Sequence, residues 1–265
     1  MVLTRYGAGV ITNLQVEWVG DELRAQWQGG TDPTVFVSAS ADDAGTVIVP
    51  VETPGRLRIA GLPTGFRAYV HVLDLDGRWA VAGERLVRLT GHAHAVDLGG
   101  RPAAGGRTVR WGRLFASDPL DDLDAVGREV VRSLGLRTIA DLRDGESSSG
   151  RPAWLEPEVR WDLPGLGEGE GRFVPIAALV ALAADPAGLP LLFHDAVGSD
   201  RAVVVGAIVL SALGVADWDL PYFPTRAATL AEFRDGHASM GQALIEGSDL
   251  TEADLAALGD ALLTT

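Results

Sequence analysis

Four side chains between positions 194 and 201 carry the chemistry this sequence has to offer: His194, Asp195, Asp200 and Arg201, in the segment Phe193-His194-Asp195-Ala196-Val197-Gly198-Ser199-Asp200-Arg201. Asp195 and Asp200 fall on one tight loop; if the two carboxylates couple there, one would be held protonated and the other ionised, the arrangement of a general acid and a general base. Arg201 adds a planar fork of donors suited to an oxyanion. The chain has no cysteine, which removes thiolate catalysis, disulfides and thiolate metal sites together. The candidate catalytic residues are therefore Asp195, Asp200 and Arg201. His194, Ala196, Val197, Gly198, Ser199 and Trp161 are candidate binding residues.

The elements around this loop must aim it. Leu191-Leu192-Phe193 reads as a buried strand, and Arg201 to Leu213 as a helix that is apolar almost all round and hence buried. A loop from strand to helix N-terminus converges its backbone N–H groups and adds the positive end of the helix dipole, giving an anion cradle. Gly198 permits the tight turn. Further upstream, Leu120 to Leu134 has apolar residues at helical spacing and stops at Gly135. Arg137 to Leu142 reads as a strand and Val174 to Ala184 as a helix. Strands alternating with helices predict an α/β domain with a mostly parallel sheet.

Residues 10 to 90 follow a different period. Apolar residues alternate with polar ones in short runs (Leu14/Val16/Trp18, Leu23/Ala25/Trp27, Val35/Val37, Val47/Val49/Val51, Leu57/Ile59, Phe66 to Val72, Trp79/Val81), separated by turn signals such as Gly29-Gly30 and Asp76-Gly77. About seven half-buried strands predict an antiparallel β-sandwich over residues 1–90, followed by the α/β domain over 91–265. The order of the runs, with Trp27 on the second and Gly61-Leu62-Pro63-Thr64-Gly65-Phe66 before the sixth, resembles a fibronectin type III domain. Phe66 stands where that family usually has its corner tyrosine.

The loop 194–201 itself resembles the phosphate loop of the atypical bacterial tyrosine/serine phosphatases, H-C-x-x-G-K-D-R-T-G. Other segments agree in order. His94-Ala95-Val96-Asp97-Leu98-Gly99-Gly100 is similar to that family's N-F-R-D-L-G-G, and Gly112 to Asp118 to its G-x-L-F-R-S. Leu134 to Arg143 is similar to L-G-I-R-T-V-I-D-L-R, and Leu250 to Leu258 to its closing helix. The resemblance implies a tyrosine-phosphatase fold from about 92 to 263, with His194 as a structural hydrogen-bonding residue of the loop. The departures then decide the chemistry. Asp195 stands in the place of the nucleophilic cysteine and Ser199 in that of the loop lysine, while Val96 and Ala116 replace two arginines. The segment from Phe223 to Leu250 is shorter than its counterpart.

Two readings follow from these residues. In one, Asp195 and Asp200 serve a small-molecule enzyme of the elimination, isomerisation or cyclisation type, and Arg201 orients them or holds an anionic oxygen. In the other, the Asp195 carboxylate plugs the cradle and the protein is an inert pseudophosphatase used for binding or scaffolding. Residual phosphatase activity is a third outcome, which loss of the thiolate disfavours. The lost cations point to a neutral or cationic ligand in place of a phosphorylated one. Trp111, Trp154, Trp161, Trp218, Tyr222 and Phe223 are candidates for an apolar pocket wall or for core packing. His92, His94 and Asp97 fit no strong metal template, and no metal or cofactor is expected.

Composition narrows the partners. Acids outnumber bases 36 to 22, for a net charge of −14. Such a surface repels nucleic acid and anionic lipid, whose binding needs clustered Lys and Arg. The longest apolar run, Ala202 to Ala216, is too short for a bilayer-spanning helix. The first residues lack the basic and apolar stretches of a signal peptide, so a cytoplasmic location is expected. A small molecule is the expected ligand, with a protein partner through the sandwich domain as the alternative.

Overall fold

The structure is a computed structural model that describes residues 10–30, 32–51, 53–63, 65–89, 93–143, 150–162, 174–196, 201–220 and 227–264. The chain divides into two compact units, Met1–Val87 and Arg88–Thr265.

The first unit holds the strands β1 (Thr12–Val19), β2 (Glu22–Gln28), β3 (Thr34–Ser38), β4 (Ile48–Val49), β5 (Arg56–Ala60), β6 (Tyr69–Leu73) and β7 (Trp79–Gly83). They form a three-stranded sheet, β1-β2-β5, and a four-stranded sheet, β4-β3-β6-β7, with every pair antiparallel. The period-two pattern decides which side is buried: Leu23, Ala25, Trp27 and Leu57 in the first sheet, Val35, Val37, Val70 and Val72 in the second. The fourth run is curtailed to two residues, with Val47 and Ile48 exposed at 63% and 62%. Pro50 has no N–H to donate to a ladder, which limits that strand. Phe66 lies ahead of β6 in a turn, half-buried, its N–H donating to the Pro63 carbonyl.

The second unit is built on a six-stranded sheet of order β12-β11-β13-β10-β9-β8. Its strands are β8 (Leu86–Arg88), at the passage between the units, β9 (His94–Asp97), β10 (Leu114–Ser117), β11 (Thr138–Asp141), β12 (Arg160–Asp162) and β13 (Leu191–His194). The pairs β10–β13, β13–β11 and β11–β12 are parallel, and β9 runs antiparallel to β10. The helices are α1 (Ala125–Ser133), α2 (Val174–Ala184), α3 (Arg201–Ala212), α4 (Ala227–Arg234), α5 (Met240–Gly247) and α6 (Glu252–Leu262). The predicted α/β arrangement with a mostly parallel sheet is observed.

Local chemistry sets the helix ends. The Asp124 carboxylate accepts the Gly127 N–H at 2.9 Å, so α1 begins at Ala125, and Leu120 and Leu123 are buried ahead of it. Gly135 takes a φ of 63° just beyond the helix, the left-handed conformation that glycine adopts without strain. Thr251 and Asp254 form a reciprocal capping box on α6. Helix α3 is buried over most of its surface, as its composition requires, with Ala202, Val205, Gly206, Ala207, Ile208, Val209 and Leu210 all buried. It packs in one cluster with α2, α6 and the sheet residues Leu114, Ala116, Ala140, Leu191 and Phe193. By alternation, Phe115, Ile139 and Leu192, all fully buried, point to the opposite face of the sheet.

Candidate functional site

Strand β13 delivers His194 and Asp195 to the carboxyl end of the sheet, and Arg201 opens α3. Ligand sites of open α/β sheets lie at this end. Asp195 is 3% exposed. Its Oδ1 accepts the Ala196 N–H at 2.8 Å, and its Oδ2 lies 3.8 Å from Arg201 Nε. The guanidinium is half exposed, at 50%, so the pair is arranged with the carboxylate inside and the cation at the solvent side. Val197, Gly198, Ser199 and Asp200 lie outside the described residues, as do His92, Tyr222 and Phe223.

His194 is fully buried, and neither ring nitrogen has a hydrogen-bond partner among the described residues. Its Nδ1 stands 3.8 Å from Asp141 Oδ1. Burial drives its pKa down from 6.5 to about 4, with the nearby Asp141 carboxylate opposing the shift. The imidazole is therefore neutral at neutral pH. Asp141 is itself held. Its Oδ1 accepts Arg143 Nε at 2.8 Å and its Oδ2 accepts Arg143 Nη2 at 2.8 Å. Arg143 also donates from Nη1 to Asp121 Oδ2 at 2.7 Å. Hydrogen bonding to Asp141 raises the Arg143 pKa further and keeps it charged, which suits a guanidinium that is 7% exposed between two carboxylates.

Of the four tryptophans proposed for a pocket wall, Trp161 meets the described part of the loop segment: its ring packs on His194 with centroids 5.6 Å apart. Trp111 lies over the Gly99-Gly100 turn, so closely that a Cβ on Gly99 would meet Trp111 Cα at 2.4 Å. Trp154 lies beneath Arg128 and Arg132, each 5.9 Å from its ring centroid. Trp218 is 77% exposed. Asp97 is fully buried and accepts the N–H groups of Gly99 and Gly112, both at 2.9 Å. It ties two turns together. The His94 backbone N–H donates to Asp118 Oδ2 at 2.9 Å, and its side chain is on the surface.

Val96 and Ala116 are cross-strand partners, and Ala116 in turn pairs with Phe193. They lie against the apolar cluster, so both positions where the resemblance puts an arginine are filled by hydrocarbon. One residue further along each strand lies a row that the sequence reading did not assemble. Ser117 pairs with His194, and His194 with Asp141. Each of the three closes a short apolar strand, Leu-Phe-Ala-Ser, Thr-Ile-Ala-Asp and Leu-Leu-Phe-His. Two local signals mark them: each is a polar residue ending an apolar run, and each falls in a segment that resembles a phosphatase motif.

The comparisons agree with the second unit. Residues 88–164 match the model of the tyrosine phosphatase family. A protein of Cupriavidus necator, provisionally named as a tyrosine-protein phosphatase, is 32% identical over 48% of this chain and 58% of its own length. The chain thus spans less than two thirds of that relative. Among the described residues no helix is long and apolar enough to cross a membrane, and no three His, Cys, Asp or Glu side chains converge as a metal site.

Proposed function

We propose that the second unit is a tyrosine-phosphatase-like domain that does not hydrolyse phosphoesters and acts by binding, its oxyanion cradle filled by its own Asp195. The observation that supports this reading is the position of the Asp195 carboxylate, buried against the Ala196 N–H with Arg201 facing it. Those are partners that a bound oxyanion would otherwise take. The cradle also has Val96, Ala116 and Ser199 where the resemblance puts cations. A phosphate entering beside Asp195 meets a repulsion of about 4 kcal/mol per pair of unit charges at 4 Å, in the effective dielectric near a protein surface. That offsets the whole of a millimolar affinity, which is about 4 kcal/mol. The ligand this site favours is neutral or cationic, and the setting is cytoplasmic. The first unit, fibronectin type III-like in its order of strands, would supply a protein-binding surface.

A second reading, an enzyme using Asp195, Asp200 and Arg201 in an elimination, isomerisation or cyclisation, is favoured by the half-exposed Arg201. A small molecule can reach it from solvent and then lies against Asp195. Titration calorimetry with tungstate, together with an aryl phosphate assay, tests the first reading. Wild type should neither bind tungstate below millimolar concentration nor turn over the ester, and Asp195→Ala should bind tungstate at least about tenfold more tightly once the carboxylate is gone. Turnover by wild type that Asp195→Ala abolishes would overturn it.

A further inference from the structure

The carboxyl edge of the sheet carries a second set of reactive groups, on the face opposite to Val96, Ala116 and Phe193. Ser117 of β10, His194 of β13 and Asp141 of β11 form one cross-strand row. Neighbours in such a row share a face, with strands about 4.8 Å apart, so the Ser117 and Asp141 side chains leave the strands on either side of His194. The row is graded in access: Ser117 is 8% exposed, while His194 and Asp141 are inaccessible. The carboxylate is fixed from behind by both hydrogen bonds from Arg143, which Asp121 anchors in turn. Among the described residues both ring nitrogens of His194 lack a hydrogen bond; buried polar groups left unsatisfied are destabilising, and native interiors retain few of them. Packing alone would be served better by a phenyl ring.

We propose that Ser117, His194 and Asp141 act as nucleophile, general base and orienting carboxylate in acyl transfer from a small uncharged carboxylic ester. A hydroxyl, an imidazole and a carboxylate in this order are the elements of a serine nucleophile, recognised by geometry and role and not by chain order. At rest the Ser117 hydroxyl donates to the Asp118 carbonyl at 2.8 Å, and it turns toward β13 to engage His194. Ser117 Oγ then forms a bond to the ester carbonyl carbon as its proton passes to the imidazole. The carbon–alkoxy bond breaks, and the departing alcohol leaves with that proton. Water hydrolyses the acyl-serine in the same way and returns the hydroxyl. The groups that face His194 electrostatically are Asp141, Arg143, Asp121 and Asp195, three carboxylates against one guanidinium. That surplus of negative charge is why the substrate is uncharged. This site does not depend on what fills the cradle at Asp195.

The full chain treated with a fluorophosphonate probe should carry one phosphonyl group, on Ser117 by peptide mass spectrometry, with fluoride released, and should hydrolyse p-nitrophenyl acetate. Folded His194→Phe and His194→Gln should label about 100-fold more slowly or less, the usual contribution of a general base. Because burial keeps His194 neutral down to about pH 4, labelling of wild type should be half-maximal near that pH and flat from pH 5 to 8, a profile that needs no variant. No labelling, labelling elsewhere in the chain, or a rate at Ser117 that rises steadily above pH 6 would each overturn the proposal.

Discussion

Replacing His194 by phenylalanine removes a buried imidazole and leaves a ring of similar size in its place, so its effect should be read in pH and not in packing. The folded-state pKa of His194 is lowered to about 4 from 6.5, chiefly by burial. A lowered pKa means that the native state binds fewer protons than the unfolded chain between those two values. Stability is therefore complete above pH 6.5, falls as the pH drops through the window, and levels off below pH 4. At about 1.4 kcal/mol for each pH unit between the two values, the native state loses about 3 kcal/mol across the window. His194→Phe should lose none of this. Urea denaturation at pH 7, 6, 5 and 4.5, fitted to the transition that the substitution moves, gives the difference between the two proteins. Carboxylates with lowered pKa values, Glu156, Glu246 and Asp254, are common to both and cancel, as does His71 in the first unit. The gap in favour of the variant should widen by about 1 kcal/mol or more for each unit below pH 6. Parallel curves would refute the reasoning, because they would mean that His194 titrates alike in the folded and unfolded chains.

Two further outcomes are expected. Gly99→Ala should destabilise the second unit by about 1–3 kcal/mol, since its Cβ would meet Trp111 Cα at 2.4 Å and the Arg110 carbonyl oxygen at 2.7 Å. Both are backbone atoms that no rotamer change can move, and a urea midpoint unchanged from wild type would count against that packing. Asp195→Cys should be a poor phosphatase in an aryl phosphate assay, because it supplies a thiol without the cations that phosphoryl transfer needs. Brisk turnover from that one change would show that the rest of the cradle is intact.

The architecture was legible wherever a pattern is local. Helix α3 and strand β13 declare themselves by continuous apolar runs, and the strands of the first unit by their alternation. The stretch from Leu120 was read as helical from the spacing of Leu123, Val126 and Val130, yet the Asp124 cap starts α1 later. Strand β12 escaped because Arg160-Trp161-Asp162 is short and bears two charges. Its hydrogen bonding depends on β11, with which Trp161 pairs through Ile139. The site divides in the same way. Asp195 and Arg201 are close in sequence and could be placed on one loop from the residues alone. Ser117, Asp141 and His194 are separated by whole helices, and only the register of three parallel strands makes them neighbours.

The two ends of this logic meet at His194. In the adjacent row the strands carry Val96, Ala116 and Phe193, and that side of the sheet is closed by hydrocarbon. Val96 and Ala116 pack with the apolar cluster there. The other side carries charges. Arg143 spans Asp141 and Asp121 with a 7% exposed guanidinium, and removing one member would strand a buried ion at about 3–5 kcal/mol. Beside an uncharged imidazole, the cluster fixes the Asp141 carboxylate 3.8 Å from His194 Nδ1, so the ion pair serves the polar row itself.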